Sequence, residues 1–181
     1  MNKQHLYLTG YRGCGKSTVR HELARRLGMP SVDLDDEIER DSGLRIADIF
    51  RQSGEPGFRE LESVELERVA ALPPHVIALG GGAILRPENR RRISRTGWCV
   101  WLDADEQTLA DRIAGDVSSA DRRPSLTDRP LREEIRDVLE IRRPIYESVS
   151  DLRVWTVDRS VQSIVADILQ EWPPGTSTTD V

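Results

Sequence analysis

The sequence predicts an α/β protein whose parallel sheet is covered by helices on both faces, and three observations carry that prediction. Apolar strand-like runs alternate with helix-like runs from Leu6 to Trp172. One of them, Val76-Ile77-Ala78-Leu79, is apolar throughout, the mark of a strand buried on both faces. Another, Leu6-Tyr7-Leu8, leads through Gly10-Tyr11-Arg12-Gly13-Cys14-Gly15-Lys16-Ser17-Thr18 into a helix-like stretch, which is G-x-x-x-x-G-K-[ST] in its strand-to-helix setting.

Composition narrows the class. The chain has 181 residues, 38% hydrophobic and 31% charged, which suits one soluble domain with a substantial core. Its net charge of −5 argues against nucleic-acid binding, which needs a basic footprint. Cys14 and Cys99, the two cysteines, are far apart and stand at no metal-ligand spacing. No leader pattern and no run of membrane-spanning length is visible, so the cytoplasm is the expected location, with no membrane partner. No exposed apolar stripe demands a partner chain, and a monomer is expected.

Taken in order, residues 17–27 read as a helix closed by Gly28, with Pro30 beyond it. Ser31 to Leu34 reads as a short strand, on which period-two geometry would put Asp33 and Asp35 on one side. Residues 36–51 read as mostly helical with a break near Ser42-Gly43, and Gly54-Glu55-Pro56-Gly57 as a turn. A helix from Phe58 to Leu72 follows, with Phe58, Leu61, Val64 and Val69 as its apolar positions and Arg59 and Glu62 on another side. After Val76–Leu79 comes Gly80-Gly81-Gly82, then a basic helix over 87–95, a strand over Cys99–Leu102 and a helix over Asp105–Ile113. The polar, proline- and arginine-containing stretch 114–130 is the expected mobile lid. Leu131–Val149 reads as a long helix, Leu152–Trp155 as the last strand and Ser160–Trp172 as the closing helix. One domain over 1–172 and a disordered tail over 173–181 are expected.

The phosphate loop, Asp33 and Gly80 fall at the carboxyl ends of the strands, where ligands gather in such sheets. The glycine loop and the helix start behind it suit phosphate oxygens. Lys16 would reach the β- and γ-phosphates of a nucleotide and the Ser17 hydroxyl would ligate Mg²⁺. Asp33 and Asp35 suit a water-bridged cation or a substrate hydroxyl, and Asp35, Asp36 and Glu37 equally suit a helix N-terminus. Arg59 and Glu62, three apart, read on spacing alone as a surface pair. Consecutive glycines after a buried strand imply either close approach of a ligand or a sharp connection. Arg90, Arg91, Arg92 and Arg95 read as a solvated helix face. Arg122 and Arg123 sit in the expected lid, where an arginine could neutralise a transferring phosphoryl group. Arg142 and Arg143 either clamp an anion or pair with neighbouring glutamates.

Together these residues resemble the shikimate kinases, over Leu6 to about Ile168. The ordered set carries the likeness: the phosphate loop, Asp33-Leu34-Asp35, Gly54-Glu55-x-x-Phe58-Arg59-x-x-Glu62, Gly80-Gly81-Gly82, Arg123-Pro124 and Arg142-x-Pro144-x-Tyr146. The resemblance implies a P-loop NTPase fold of nucleoside-monophosphate-kinase type, with a five-stranded parallel sheet and a lid. It implies transfer of the γ-phosphoryl group of ATP to the 3-hydroxyl of shikimate with Mg²⁺, in aromatic amino-acid biosynthesis. On it, Gly13, Cys14, Gly15, Lys16, Ser17 and Thr18 hold the ATP phosphates, and Arg123 reaches them from the lid. Asp35 binds the acceptor hydroxyls, Arg59 and Arg142 hold its carboxylate, Glu62 orients Arg59, and Gly80, Gly81 and Gly82 line its ring. The acceptor-binding helices would lie over about 36–72. Asp33 joins Ser17 at the Mg²⁺, and Arg112 and Arg159 flank the adenine. Ser125-Leu126 stands where the family carries two leucines, a departure that bears on lid packing. The rival readings are a gluconate-type kinase on the same fold and a guanine-nucleotide switch, for which no Asn-Lys-x-Asp motif is present. A nucleic-acid-stimulated ATPase is a third, without the basic surface it needs.

Overall fold

The computed structural model describes residues 5–115 and 130–173. Five strands form one sheet: β1 (His5–Thr9), β2 (Ser31–Asp33), β3 (Val76–Ala78), β4 (Gly97–Asp103) and β5 (Leu152–Trp155). Their order is β2-β3-β1-β4-β5 and every pairing is parallel, with Leu6 opposite Val76 on one side and Trp98 on the other. The expected parallel α/β sheet is therefore present. Parallel neighbours need crossovers, and helices supply them: α1 (Lys16–Leu27), α2 (Leu34–Ser42), α3 (Ile46–Ala70), α4 (Pro87–Thr96), α5 (Glu106–Gly115), α6 (Leu131–Val149) and α7 (Val161–Glu171). From central β1 the chain runs to the edge strand β2, returns to β3 between the two, then crosses to the other side of β1 for β4 and β5. That reversal opens a crevice at the carboxyl end of β1, the switch point where such sheets bind ligands.

Covered on both faces, β1, β3 and β4 are buried along their whole lengths. The largest fully buried side chains include Trp101, Tyr7, Tyr146 and Phe58. Trp101 stacks on Tyr146 with ring centroids 5.6 Å apart, tying β4 to α6. Trp98 meets Trp172 edge to face at 5.4 Å, docking the end of α7 on the far end of β4.

Three expectations about residues 31–72 need correction. The chain leaves β2 at Asp33 and is helical from Leu34, because the Asp33 carboxylate accepts the Asp35 N–H at 3.1 Å and caps α2. Period-two geometry therefore does not place Asp35. The Gly54–Gly57 turn is a single-residue break at Gly54 (φ 64°, ψ −174°) inside an otherwise helical α3, which ends at Ala70 rather than Leu72. Pro56 is tolerated because it falls in the first turn after the break. The inner face of α3 also differs from the apolar pattern. Leu61 and Val64 are exposed, whereas Arg59, Glu62 and Glu65 are buried with Phe58, Leu66 and Val69. The buried carboxylates on this face are paired, Glu62 with the buried Arg59 and Glu65 with the partly exposed Arg68.

Residues 116–129 of the expected lid, with Arg122, Arg123 and Ser125, and the expected tail beyond Pro173 lie outside the described residues. Within the described residues no helix is long and apolar enough to cross a membrane, and both cysteines are free and buried.

Candidate active site

The loop between β1 and α1 closes on itself before any ligand is considered. Gly10 has φ 139°, and a Cβ there would lie 2.3 Å from the Leu102 carbonyl oxygen and 2.8 Å from Cys14 Sγ. Only glycine fits that conformation in that space. The Lys16 ammonium folds back over the loop, donating to the carbonyl oxygens of Gly10 (2.8 Å) and Tyr11 (3.0 Å) and reaching Cys14 Sγ at 3.6 Å. Cys14 is buried beneath it, packed as part of the loop's floor. Helix α1 starts at Lys16, so its unpaired N–H groups and positive dipole end face the loop's concavity.

This concavity is one end of a cavity of about 550 Å³. Residues Arg12 to Val19 line it, joined by Asp33 and Asp35 from the β2–α2 junction and by Gly80 and Gly81 after β3. On the opposite wall stand Arg112 of α5 and Thr156, Arg159, Val161 and Ile164 after β5. Twelve of the residues singled out in the sequence therefore meet here: Gly13, Cys14, Gly15, Lys16, Ser17, Thr18, Asp33, Asp35, Gly80, Gly81, Arg112 and Arg159. Burial, then the neighbouring Asp35 and Asp36, raise the Asp33 carboxyl above the usual aspartate range, against the opposing pull of Arg20 and Lys16. A cation beside Asp33 would offset that accumulation of negative charge. Among the described residues no group of three or more His, Cys, Asp or Glu could hold a metal by itself. The pattern fits Mg²⁺, which takes one or two protein ligands and completes its shell with phosphates and water.

Arg112 binds across the sheet. Its guanidinium donates to Gly13 O (3.4 Å), Thr156 Oγ1 (3.2 Å) and Thr156 O (2.9 Å), tying the phosphate loop to the segment after β5. Arg159 is held by Ser163 Oγ at 2.6 Å and by Asp167 at 2.7 Å.

Arg59, Glu62, Gly82 and Arg142 do not line that cavity; they form a second group directly behind its glycine wall. Arg59 is 9% exposed and lies flat on Gly82, where a Cβ would come within 2.3–2.5 Å of the guanidinium. Its Nη1 donates to the buried Glu62 at 2.7 Å. Its Nε and Nη2 both donate to Glu55 Oε1, at 3.2 and 3.0 Å. One residue earlier, the Gly81 carbonyl accepts from Tyr146 Oη at 2.6 Å and from Arg142 Nη1 at 3.3 Å. Arg143 turns the other way, to Glu106 at 3.1 Å. The triple glycine is thus both a sharp connection and the backbone against which two arginines rest. Of the basic residues on α4, Arg90 is no solvated charge but caps the short 3₁₀ turn at Ala83–Leu85, donating to Ile84 O and Leu85 O at 2.8 Å each.

Glu55, Tyr146 and Arg12 stood in the motifs without a role of their own, and the sequence reading did not single out Thr156 or Arg20. Glu55 had a local signal, four residues before Arg59. Arg20 had one too, a helical turn after Lys16; it is 7% exposed and acts on Asp33. Thr156 had none, because its partner Arg112 is far off in sequence. Arg123 lies outside the described residues.

Comparison with known proteins gives consistent matches. The family model described as shikimate kinase matches residues 12–173. A shikimate kinase of Rhodopirellula baltica is 51% identical over 178 residues, covering 98% of this chain and 95% of that one. One of Symbiobacterium thermophilum is 43% identical over 167 residues, covering 92% and 95%. Among solved structures, a shikimate kinase from Acinetobacter baumannii in complex with shikimate superposes with a TM-score of 0.86 at 34% identity, covering 93% of this chain and 92% of its own.

Proposed function

This chain belongs to the shikimate kinase family, and from that premise we infer that it transfers the γ-phosphoryl group of ATP to the 3-hydroxyl of shikimate, giving shikimate 3-phosphate and ADP. The observation that supports this most directly is the single cavity joining the phosphate loop to Asp35, Gly80 and Gly81. It gives donor and acceptor one space in which to meet.

Each residue has a defined task in this reading. Loop N–H groups and the α1 terminus receive the phosphates, and Lys16 exchanges its two carbonyl partners for β- and γ-phosphate oxygens. Ser17 and Asp33 would hold Mg²⁺, which neutralises charge shared between those oxygens when bound. Asp35 accepts the hydrogen bond of the 3-hydroxyl and aims its oxygen at the γ-phosphorus. A bond forms from that oxygen to phosphorus as the bond to the β–γ bridging oxygen breaks. The hydroxyl proton leaves along the hydrogen bond. Arg59 and Arg142 hold the acceptor carboxylate, a task suited to planar guanidinium groups, with Glu62 keeping Arg59 in place. Arg112 and Arg159, with Val161 and Ile164, form the adenine side. A single copy carries all of these residues, so the reading needs no second chain.

The test is ADP release measured in parallel with shikimate, gluconate and nucleoside monophosphates. Turnover is expected to depend on shikimate. Equal turnover with gluconate, or none with shikimate, overturns the assignment.

A further inference from the structure

The Arg59 guanidinium is already occupied by a carboxylate, and not only by the one that anchors it. Glu62 is fully buried and takes Nη1. The edge formed by Nε and Nη2, one of the two that match a carboxylate in bidentate fashion, carries Glu55. Glu55 holds that edge through one oxygen, Oε1, and its side chain is 51% exposed. The contact is therefore monodentate and screened by water. Glu62, the Gly82 backbone and the Phe58 ring, whose centroid lies 5.2 Å from the guanidinium carbon, keep Arg59 where it is whether or not Glu55 stays. Glu55 follows directly on the break at Gly54, at the exposed start of the second half of α3, so its side chain can swing to solvent without unwinding helix.

We propose that Glu55 is an internal stand-in for the acceptor carboxylate and a specificity-determining residue: a substrate carboxylate docks on Arg59 by displacing it. The proposal rests on the reading of Arg59 as the acceptor's carboxylate partner. The exchange keeps one negative charge on the Nε/Nη2 edge of a buried guanidinium in the free and the bound enzyme. This avoids the large cost of a buried charge left with too few partners. An acceptor of the right shape without a carboxylate has nothing to offer in exchange, and Glu55 keeps that edge closed. The cavity ends at Asp35, Gly80 and Gly81, with Arg59 seated behind them against Gly82. Selectivity is then a difference between displacing and failing to displace a weak internal competitor.

The test compares wild type with Glu55→Ala and Glu55→Gln, by calorimetric titration with shikimate and by steady-state kinetics in both substrates. Removing a half-exposed competitor should tighten shikimate Kd and lower its KM about two- to fivefold, with kcat and the KM for ATP unchanged. The glutamine, a weaker acceptor, should fall between the two. Should Glu55→Ala not fold, Glu55→Gln alone carries the comparison. An unchanged or raised shikimate Kd in the folded variants overturns the proposal and makes Glu55 a support of Arg59. No shikimate binding by wild-type protein overturns instead the reading of the acceptor, and the stand-in falls with it.

Discussion

A methyl group added at Gly82 and one added at Gly10 would fail for different reasons, and the difference separates function from fold. At Gly82 the new Cβ meets the guanidinium of Arg59, the far end of a flexible side chain, while the backbone (φ −109°) suits alanine. Gly82→Ala should therefore fold, with Tm lowered by no more than about 4 °C, and raise shikimate KM about tenfold or more through displacement of Arg59. At Gly10 the Cβ meets the backbone oxygen of Leu102 at 2.3 Å and φ is 139°, so nothing can yield cheaply. Gly10→Ala should lower Tm further and abolish ATP binding. A normal shikimate KM in folded Gly82→Ala would refute the seating of Arg59. The residue types were legible at both positions, since three glycines after a buried strand and a glycine opening a phosphate loop each carry a local signal. What each glycine touches was not, because Leu102 and Arg59 come from remote parts of the chain.

At the scale of elements, the end of the sheet opposite the site has its own polar tie. His5, on β1, is 1% exposed. Its Nδ1 accepts the His75 N–H at 3.2 Å just before β3, so its proton sits on Nε2, which donates to Ala70 O at 3.3 Å at the end of α3. A second proton would put two N–H groups face to face. Burial, and then His75, accordingly lower the His5 pKa below its ordinary 6.5, against the raising effect of the Ala70 bond. The unfolded chain thus binds the proton more readily than the folded one. Stability from His5 is complete above about pH 6.5 and is lost as pH falls toward the lowered folded value. His5→Asn keeps an acceptor near the Nδ1 position but cannot titrate. Melting temperatures from pH 7.5 to 5 should fall more steeply for wild type than for this variant; parallel curves would remove His5 as the titrating group. The same scale marks where sequence patterning misled. Local patterning sufficed for α6 and β5, both found where expected. Helix α3 was misread because its inner face is charged, and a hydrophobic pattern cannot locate a face built from Arg59, Glu62 and Glu65.

Over the whole molecule, the parallel sheet followed from alternating patterns, while the strand order β2-β3-β1-β4-β5 did not. Strand order depends on which crossovers pack, a matter of long-range contact that no local spacing encodes. The site has the same division. Its phosphate loop is one continuous stretch and was legible as such, whereas the acceptor end proposed for it draws on Asp35, Arg59, the glycine wall and Arg142, which only an ordered likeness to a family brought together. That division should be visible in solution. On the proposed roles, nucleotide and acceptor bind opposite ends of one crevice through different residues, so each should stabilise the protein without the other, by about 5–10 °C at a hundredfold excess over Kd. Arg59→Ala should lose the rise in Tm caused by shikimate and keep the rise caused by ATP with Mg²⁺. Lys16→Ala should do the reverse, because the hydrogen bonds of its ammonium stay within the phosphate loop, at the nucleotide's proposed end of the crevice. Loss of both rises in either variant would mean that the two ends are not separately built, and that the acceptor subsite forms only once the nucleotide is in place.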